Sequence, residues 1–233
     1  MNQRTARINI AIDGPAGAGK STVARMVARD LAYVYVDTGA MYRAVTLKAL
    51  DAGLPMDDDA AVGKLAIALD IVLLPGKDGQ QVIVNGTDVS SQLRTLDINR
   101  NVSYIARLES VRKQMAELQR RMALAKGVVM DGRDIGTHVL PDAELKVFLT
   151  ATPRERAIRR YKELGDEPGI TLDQLEREIA ERDRLDQERE IAPLLQAPDA
   201  RLIDSTGRSI DEVAEQIVQW GLAIARTIST EEK

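Results

Sequence analysis

The stretch INIAIDGPAGAGKS, residues 8–21, decides the fold. It begins with a short run rich in isoleucine, which predicts a buried strand of a parallel sheet. Residues 14–21 then fit the pattern G-x-x-x-x-G-K-[ST] and lead into the helix-like sequence TVARMVARDL. Between a strand and a helix, such glycines let successive backbone N–H groups point at phosphate oxygens. The stretch therefore predicts a P-loop that binds ATP or GTP.

The P-loop residues have distinct expected roles. Lys20 can reach the β- and γ-phosphates of a nucleotide, and the hydroxyl of Ser21 can bind Mg²⁺. The sequence contains neither an N-K-x-D guanine-recognition motif nor an L-S-G-G-Q-like segment, which disfavours a GTPase and a transporter ATPase. A stand-alone ATP-dependent kinase of a small molecule remains. We expect ATP to contact Gly14, Pro15, Ala16, Gly17, Ala18, Gly19, Lys20, Ser21 and Thr22.

Outside the loop, short strands alternate with helical stretches. This pattern predicts an α/β fold with a doubly wound, five-stranded parallel sheet. The expected strands are residues 8–13, 33–36, 128–131, 145–149 and 201–203. The expected helices lie near residues 19–31, 39–52, 58–69, 98–125, 153–163, 171–190 and 209–228.

Residues 70–95 depart from this alternation. Two apolar runs are separated by Pro75, Gly76 and Gly79, and the pair Asn85-Gly86 follows the second run. Asn-Gly between strands is a strong hairpin signal. We therefore expect a small antiparallel β insert within the parallel fold.

Composition excludes several classes of protein. The chain has 32 Lys and Arg against 36 Asp and Glu, and only 3% aromatic residues, which disfavours a nucleic-acid-binding protein. The absence of cysteine and the single histidine, His138, exclude disulfides, thiol catalysis and zinc-finger sites. No apolar run is long enough to span a membrane. We expect a cytoplasmic monomer.

The second predicted strand ends in DTGAMYR, residues 37–43. Ligands of doubly wound sheets gather at the carboxyl ends of the strands, so we expect this turn to face the same crevice as the P-loop. Asp37 or Thr38 could cap the following helix. Arg43 opposes the dipole of that helix, which indicates either an anionic partner or a solvated side chain.

The third predicted strand ends in Asp131-Gly132-Arg133-Asp134. A carboxylate at the end of an apolar strand fits a residue that holds Mg²⁺ or its water opposite Ser21, so we assign this role to Asp131. Arg133 and Asp134 would enter the crevice, although Asp134 could also form an Asx turn. The isolated His138 is expected to be structural.

Two C-terminal helical stretches carry unusual charge. One has five basic residues between positions 154 and 162 and fits either a solvated helix face or a lid whose arginines neutralise a transferring phosphoryl group. In the other, an apolar stripe becomes charged without changing face, so this helix either runs into solvent or lines a polar cavity. The stripe comprises Leu172, Leu175 and Ile179, followed by Arg182, Asp186 and Arg189.

Together these motifs resemble the bacterial cytidylate kinase family of nucleoside monophosphate kinases. The resemblance covers nearly the whole chain, and three of its motifs are specific in combination: DTGAMYR, DGRDIGT and ERDRLDQER. The β insert is also typical of this family. The remaining matching segments are IDGPAGAGKST, VIVNGTDVSSQLR, SYIARLESVR, ERAIRR, IAPL and LIDST.

The resemblance implies a single P-loop kinase unit over residues 1-233, which phosphorylates CMP and dCMP with ATP and Mg²⁺. The expected core is residues 7-57, 97-152 and 191-228. The NMP-binding insert would span about 58-96 and the lid about 153-190. Two alternatives stay open: a kinase of another acceptor, such as UMP, dTMP or shikimate, and a non-enzymatic ATP sensor or scaffold.

The resemblance also implies residue roles, with the acceptor phosphate bound by Arg43 and Arg133. Arg182 would bridge to this phosphate or to the sugar, Asp186 would accept from the ribose hydroxyls, and Arg189 would approach the base. The base pocket would include Thr38, Ser103, Arg112 and Asp134. The catalytic residues would be Lys20, Asp131 and the lid arginines Arg156, Arg159 and Arg160.

Overall fold

The computed structural model describes residues 6–76, 79–164 and 171–231. Residues 77–78 of the expected insert and 165–170 of the expected lid lie outside the described residues. The chain divides into two compact units, one made of Met1–Val34 with Ala125–Lys233 and the other of Tyr35–Leu124.

The strands form two sheets. The five-stranded sheet has the order β2-β6-β1-β7-β8, and its β1–β6, β1–β7 and β7–β8 pairs are parallel. The three-stranded sheet has the order β3-β4-β5 and is antiparallel. Both predicted sheets are confirmed. The strands are β1 (Asn9–Asp13), β2 (Val34–Asp37), β3 (Ile71–Gly76), β4 (Gly79–Val84), β5 (Thr87–Asp88), β6 (Val128–Gly132), β7 (Leu145–Thr150) and β8 (Arg201–Asp204).

Eight α-helices lie within the described ranges of the chain. Their bounds are α1 (Lys20–Leu31), α2 (Thr38–Asp51), α3 (Asp59–Ala68), α4 (Leu96–Ile105), α5 (Glu109–Ala123), α6 (Pro153–Leu164), α7 (Leu172–Gln187) and α8 (Ile210–Glu231). None of the described helices has the length and hydropathy that a membrane span requires.

The prediction of one helix over residues 98–125 is wrong. The stretch forms α4 and α5, because Leu108 adopts an extended backbone, with φ −65° and ψ 123°, and starts the second helix. The apolar stripe nevertheless continues across the break, since Val102, Ile105, Val111 and Met115 are all buried. Periodicity therefore identified the buried face but not the interruption.

In the first unit, β1 and β6 are buried along their whole length. This is the burial expected of central parallel strands with helices on both faces. Helix α8 packs closely on the sheet at Gly221, where an added Cβ would lie 3.3 Å from Ile10. The sheet core thus supports the loop that follows β1.

In the second unit, the Asn85-Gly86 hairpin is confirmed. Asn85 and Gly86 have φ values of 50° and 80°, as a type I′ turn between β4 and β5 requires. Asn85 also exchanges two hydrogen bonds with Asp70, at 2.9 Å each, which fixes the base of the insert. Val82 and Val84 of β4 join the apolar core of α2, α3 and α5.

Candidate active site

The P-loop wraps closely against the end of β7, and Gly14 makes this possible. Its φ of 147° is accessible to glycine, and an added Cβ would lie 1.9 Å from the carbonyl oxygen of Leu149. Gly17 and Gly19 also have positive φ values, 74° and 90°, and Gly19 forms the N-cap of α1. The glycine pattern of the sequence therefore follows from the backbone that the loop requires.

Lys20 lies inside this loop. Its side chain is buried, and its Nζ donates to the carbonyl oxygen of Pro15 at 2.7 Å. Burial lowers the pKa of the Lys20 ammonium well below its usual value, and the charge of Arg133 acts in the same direction, while Asp131 and Asp13 oppose it. The Lys20 ammonium therefore lies in a buried setting with both an arginine and two carboxylates acting on it.

Ser21, at the start of α1, contacts Asp131, which lies within β6. The hydroxyl of Ser21 donates to Oδ2 of Asp131 at 2.9 Å, and Asp131 is buried. A hydroxyl and a carboxylate offer the hard oxygen ligands that Mg²⁺ prefers. The residues described here include no cluster of three His, Asp or Glu side chains suited to a metal. These two residues therefore fit Mg²⁺ as partial ligands, with the remaining positions left to phosphates and water.

Helix α6 sends two arginines toward the P-loop backbone. Arg156 is buried, donates to the carbonyl oxygens of Ala16 and Ala151 at 2.9 and 3.0 Å, and pairs with Asp183 at 2.6 Å. Arg154, two residues earlier, is exposed and pairs with acidic groups of α7. The helix thus has a solvated face at Arg154 and a buried contact with the loop at Arg156, and the lid role of its arginines stays a prediction.

The second of these arginines, Arg159, links the P-loop to the segment after β8. It donates to the carbonyl oxygen of Ala18 at 3.2 Å and to the hydroxyl and carbonyl oxygens of Ser205 at 3.0 and 2.8 Å. Arg160 lies one residue further along α6 and is partly buried. Arg156 and Arg159 therefore contact loop carbonyls in this structure.

Arg133, Asp134, Asp186 and Arg189 form a charged cluster in the first unit. Nε of Arg133 donates to Asp186 at 2.9 Å, and Arg189 lies 3.8 Å from Asp134 and 4.0 Å from Asp186. Burial alone would raise the pKa of Asp186, but Arg133, Arg182 and Arg189 hold it below its usual value. Asp134 forms no side-chain cap on the following π-helix, Ile135–Val139, so the Asx-turn alternative is not observed.

The charged end of the α7 stripe is buried. Leu175 and Ile179 pack with Ala157 of α6, and Asp186 continues that face. The helix ends at Gln187, earlier than the expected 190, so Arg189 lies just beyond it. Both Asp186 and Arg189 are less than a tenth exposed, so neither charge lies in solvent. A buried ion cluster of this kind is costly unless its charges are paired, which makes it a candidate for binding a charged ligand.

In the second unit, Asp37 organises the turn after β2. Its Oδ1 accepts from the Ala40 N–H at 2.8 Å, so Asp37 is the N-cap of α2 and Thr38 is the first helical residue. Its Oδ2 pairs with Arg43 at 3.0 Å. Nε of Arg43 is buried without a hydrogen bond within the described chain. Arg43 therefore has an anionic partner and retains a donor for another anion.

Arg112 and Ser103 lie elsewhere in the second unit. Arg112, on α5, is buried, donates to the carbonyl oxygen of Ala106 at 3.2 Å and lies over the ring of Tyr42 at 5.8 Å. Ser103, on α4, is partly buried. Because Tyr42 belongs to the DTGAMYR motif, its contact with Arg112 brings two of the predicted segments together.

Comparison with known proteins identifies the family to which this chain belongs. The family model for cytidylate kinase matches residues 10–221. The chain belongs to the cytidylate kinase family. Cytidylate kinases from Bacillus subtilis (strain 168) and Geobacillus kaustophilus (strain HTA426) are 51% and 53% identical to it over 214 residues. Each match covers 91% of this chain and 96% of the relative.

Solved structures support the fold more distantly. An uncharacterized protein from Eubacterium ventriosum is 14% identical, with a TM-score of 0.51, and the match covers 92% of this chain and 98% of that one. A gluconokinase from Sinorhizobium meliloti is 15% identical, with a TM-score of 0.50, and covers 99% and 100% of the two chains. At these identities the likeness shows the fold alone.

Three residues of the first unit gain importance only from the structure. Asp183 pairs with Arg156, and Ser205 accepts from Arg159. Asp13, at the end of β1, accepts from the backbone N–H groups of Ile135 and Gly136 at 2.8 and 2.7 Å. Asp13 thereby joins the start of the P-loop to the DGRDIGT segment. The local sequence gives no signal for this contact, because its partners lie 122 and 123 residues away.

Asp13 should make the stability of the ligand-free protein depend on pH. Burial raises the pKa of its carboxyl from 3.8 to about 7, against the two backbone hydrogen bonds, with Asp134 raising it further and Lys20 lowering it. Because the folded pKa exceeds the unfolded one, this contribution is full below about pH 4 and is lost as pH rises through about 7. Within that window it should reduce the free energy of unfolding by about 1.4 kcal/mol per pH unit.

Denaturant unfolding of wild type and Asp13→Asn at several pH values measures this contribution. The free energy of unfolding of wild type should fall, relative to that of Asp13→Asn, as pH rises from about 4 to about 7. The exposed control Asp142→Asn should have the same pH profile as wild type. A wild type and an Asp13→Asn variant with parallel pH profiles would contradict the assignment.

Arg156 should be important for stability as well as for the loop. Arg156→Ala leaves the Asp183 carboxylate and the carbonyls of Ala16 and Ala151 without this donor. We expect a loss of about 3 kcal/mol in the free energy of unfolding, measured with urea. The control is Arg154→Ala on the same helix, whose ion pairs are exposed and whose removal should have little effect. Equal stability of the two variants would refute the expectation.

Proposed function

We propose that this chain transfers the γ-phosphoryl group of ATP to CMP and dCMP, giving ADP with CDP or dCDP. The observation that carries the proposal is the charged cluster in which the partly buried Arg133 pairs with the buried Asp186 beside the buried Arg189. The charge of Arg133 also lowers the pKa of the P-loop lysine, Lys20. Membership of the cytidylate kinase family supports CMP as the acceptor. We expect the protein to act as a cytoplasmic monomer.

The reaction requires positioning and neutralisation of charge more than proton transfer. An oxygen of the CMP phosphate attacks the γ-phosphorus in line, and the bond to the bridging oxygen of ADP breaks. The attacking oxygen is already anionic near neutral pH, so no general base is needed. This agrees with a chain whose single histidine, His138, lies in the π-helix after Asp134.

The donor site is assigned to the first unit. Lys20 contacts the β- and γ-phosphates, and the loop N–H groups bind the phosphate oxygens. Mg²⁺ would be held by Ser21 and, through water, by Asp131, and when bound it neutralises charge on the β- and γ-phosphates. Arg156 and Arg159 hold the loop carbonyls, and Arg160 is the remaining lid arginine proposed to approach the transferring group.

The acceptor site is assigned residue by residue. Arg43 and Arg133 bind the CMP phosphate, and the buried Nε–H of Arg43 donates a hydrogen bond to it. Asp186 accepts from the ribose hydroxyls, with Arg182 beside the phosphate or sugar. The base pocket is assigned to Thr38, Ser103, Arg112, Asp134 and Arg189.

A coupled ADP-release assay tests the proposal. Purified protein with Mg·ATP is offered CMP, dCMP, UMP, dTMP, AMP and shikimate, and ATP alone is the control. We expect turnover with CMP and dCMP far above the others, and slow ADP release without an acceptor. Preference for another acceptor would reassign the enzyme, and ATP binding without transfer to any acceptor would favour a sensor or scaffold.

A further inference from the structure

Gln80 of the β insert contacts the backbone of β2 at the start of residues 37–43, which carry Arg43 and which we name the acceptor turn. Its side-chain Nε2 donates to the carbonyl oxygen of Tyr35, and its Oε1 accepts from the N–H of Asp37 at 3.0 Å. All three residues belong to the second unit. One side chain thus binds two backbone groups that lie two residues apart on the same strand.

These two backbone groups are the ones that a neighbouring parallel strand would use. A residue on such a strand donates to the carbonyl before its partner and accepts from the N–H after it. Strand β2 is an edge strand of its sheet, so this side has no further strand. The carboxamide of Gln80 has the same donor and acceptor as a peptide group. It therefore replaces one residue of the missing strand.

The backbone that Gln80 holds carries the residue on which the acceptor turn depends. Asp37 is buried, and its carboxylate accepts from the Ala40 N–H and pairs with Arg43. A change in the position of the Asp37 backbone would move that carboxylate, the start of α2 and the guanidinium of Arg43 together. The hydrogen bonds of Gln80 therefore link through Asp37 to Arg43, the residue that we assign to the CMP phosphate.

We propose that Gln80 is a positioning residue for the acceptor phosphate, acting through Asp37 on Arg43. The inference rests on the proposed function of Arg43 and gives the insert a role in that function. The insert does not need to touch CMP for this role. It supplies an amide that fixes the edge of β2 while leaving the side chains of the turn available to the substrate.

The chain offers a matched control in the next residue. Gln81 lies on the same strand and is exposed, and its amide contacts the exposed Asp88 at 3.3 Å. Replacement by methionine keeps the length of either side chain and removes its hydrogen bonds. Gln80→Met and Gln81→Met therefore differ in whether the lost hydrogen bonds belong to the edge of β2. Gln80→Ala is a second variant that also removes the packing of the side chain.

Steady-state kinetics of the three variants and wild type test the positioning role. We expect Gln80→Met and Gln80→Ala to raise the KM for CMP about tenfold, as the loss of two hydrogen bonds predicts, with the KM for ATP unchanged. Gln81→Met should match wild type. A KM for CMP within twofold of the control, or an equal rise for both substrates, would overturn the inference.

Amide hydrogen exchange in the ligand-free protein gives a readout that does not depend on catalysis. We expect faster exchange at the Asp37 amide and in the first turn of α2 in Gln80→Met than in Gln81→Met. Equal protection in the two variants would overturn the inference whatever their kinetics. A wild-type protein that fails to phosphorylate CMP would instead overturn the proposed function, and this result is visible before any variant is compared.

Discussion

Lys20→Ala should lower kcat/KM by on the order of 10³-fold, as removal of a phosphate-binding cation does in phosphoryl transfer. The ammonium group lies inside the loop at 2.7 Å from the Pro15 carbonyl oxygen, where the approaching phosphates would replace that acceptor. We propose that its charge stabilises the γ-phosphoryl group during transfer, so the loss should appear in kcat as well as in KM. ADP release at saturating CMP and varied ATP measures kcat and the KM for ATP.

A surface lysine separates this effect from a general loss of charge. Lys64, on α3, is exposed, and Lys64→Ala should keep wild-type kinetics. The melting temperatures of both variants should be measured, so that a loss of folding is not mistaken for a loss of catalysis. Turnover of Lys20→Ala within tenfold of wild type would show that the loop does not hold the transferring phosphate.

Arg133→Gln should lower kcat/KM for CMP by about 10²- to 10³-fold. The variant removes a charge assigned to the acceptor phosphate, and it also leaves the buried Asp186 without its 2.9 Å partner. Removal of one partner of a buried pair destabilises the protein, by about 3 kcal/mol or more. The two consequences must therefore be separated before the kinetic loss is attributed to phosphate binding.

The double variant Arg133→Gln with Asp186→Asn separates them, because it removes both charges of the pair. It should regain most of the stability lost in Arg133→Gln, measured by urea unfolding. Its kcat/KM should remain about 10²-fold below that of Asp186→Asn alone, because the acceptor phosphate still lacks its arginine. If the double variant and Asp186→Asn are equally active, Arg133 acts only as the counter-ion of Asp186. Arg154→Gln, on the exposed face of α6, is the control.

The parts of the fold that could be predicted are those encoded by local pattern. The strand before Gly14, the P-loop and the Asn85-Gly86 turn each depend on residues close in sequence, and all three form as expected. The break between α4 and α5 has no such signal, because the segment at Leu108 contains neither glycine nor proline. Tertiary packing decides that break, and periodicity alone extends the helix across it.

The candidate site shows the same limit. The spacing of Arg182, Asp186 and Arg189 predicts one helical face. The structure ends α7 at Gln187, before Arg189, and still buries Asp186 and Arg189 in one cluster. In contrast, the contacts of Asp13 with Gly136 and of Gln80 with Asp37 join residues far apart in sequence. An aspartate or glutamine can accept a hydrogen bond from a distant backbone N–H, or it can be solvated. No local pattern distinguishes the two cases.

The protein acceptors of two cations have a consequence for how tightly phosphates bind. Lys20 already has an oxygen acceptor in Pro15, and Arg133 has one in Asp186. A phosphate that binds Lys20 or Arg133 must displace a protein oxygen. That oxygen accepts from the same cation again when the phosphate leaves. The net affinity is the difference between two sets of similar interactions, so it is far smaller than the number of contacts in the occupied site suggests. If Lys20 and Arg133 bind the phosphates as we propose, this competition weakens the binding of ADP and the diphosphate product and favours their release.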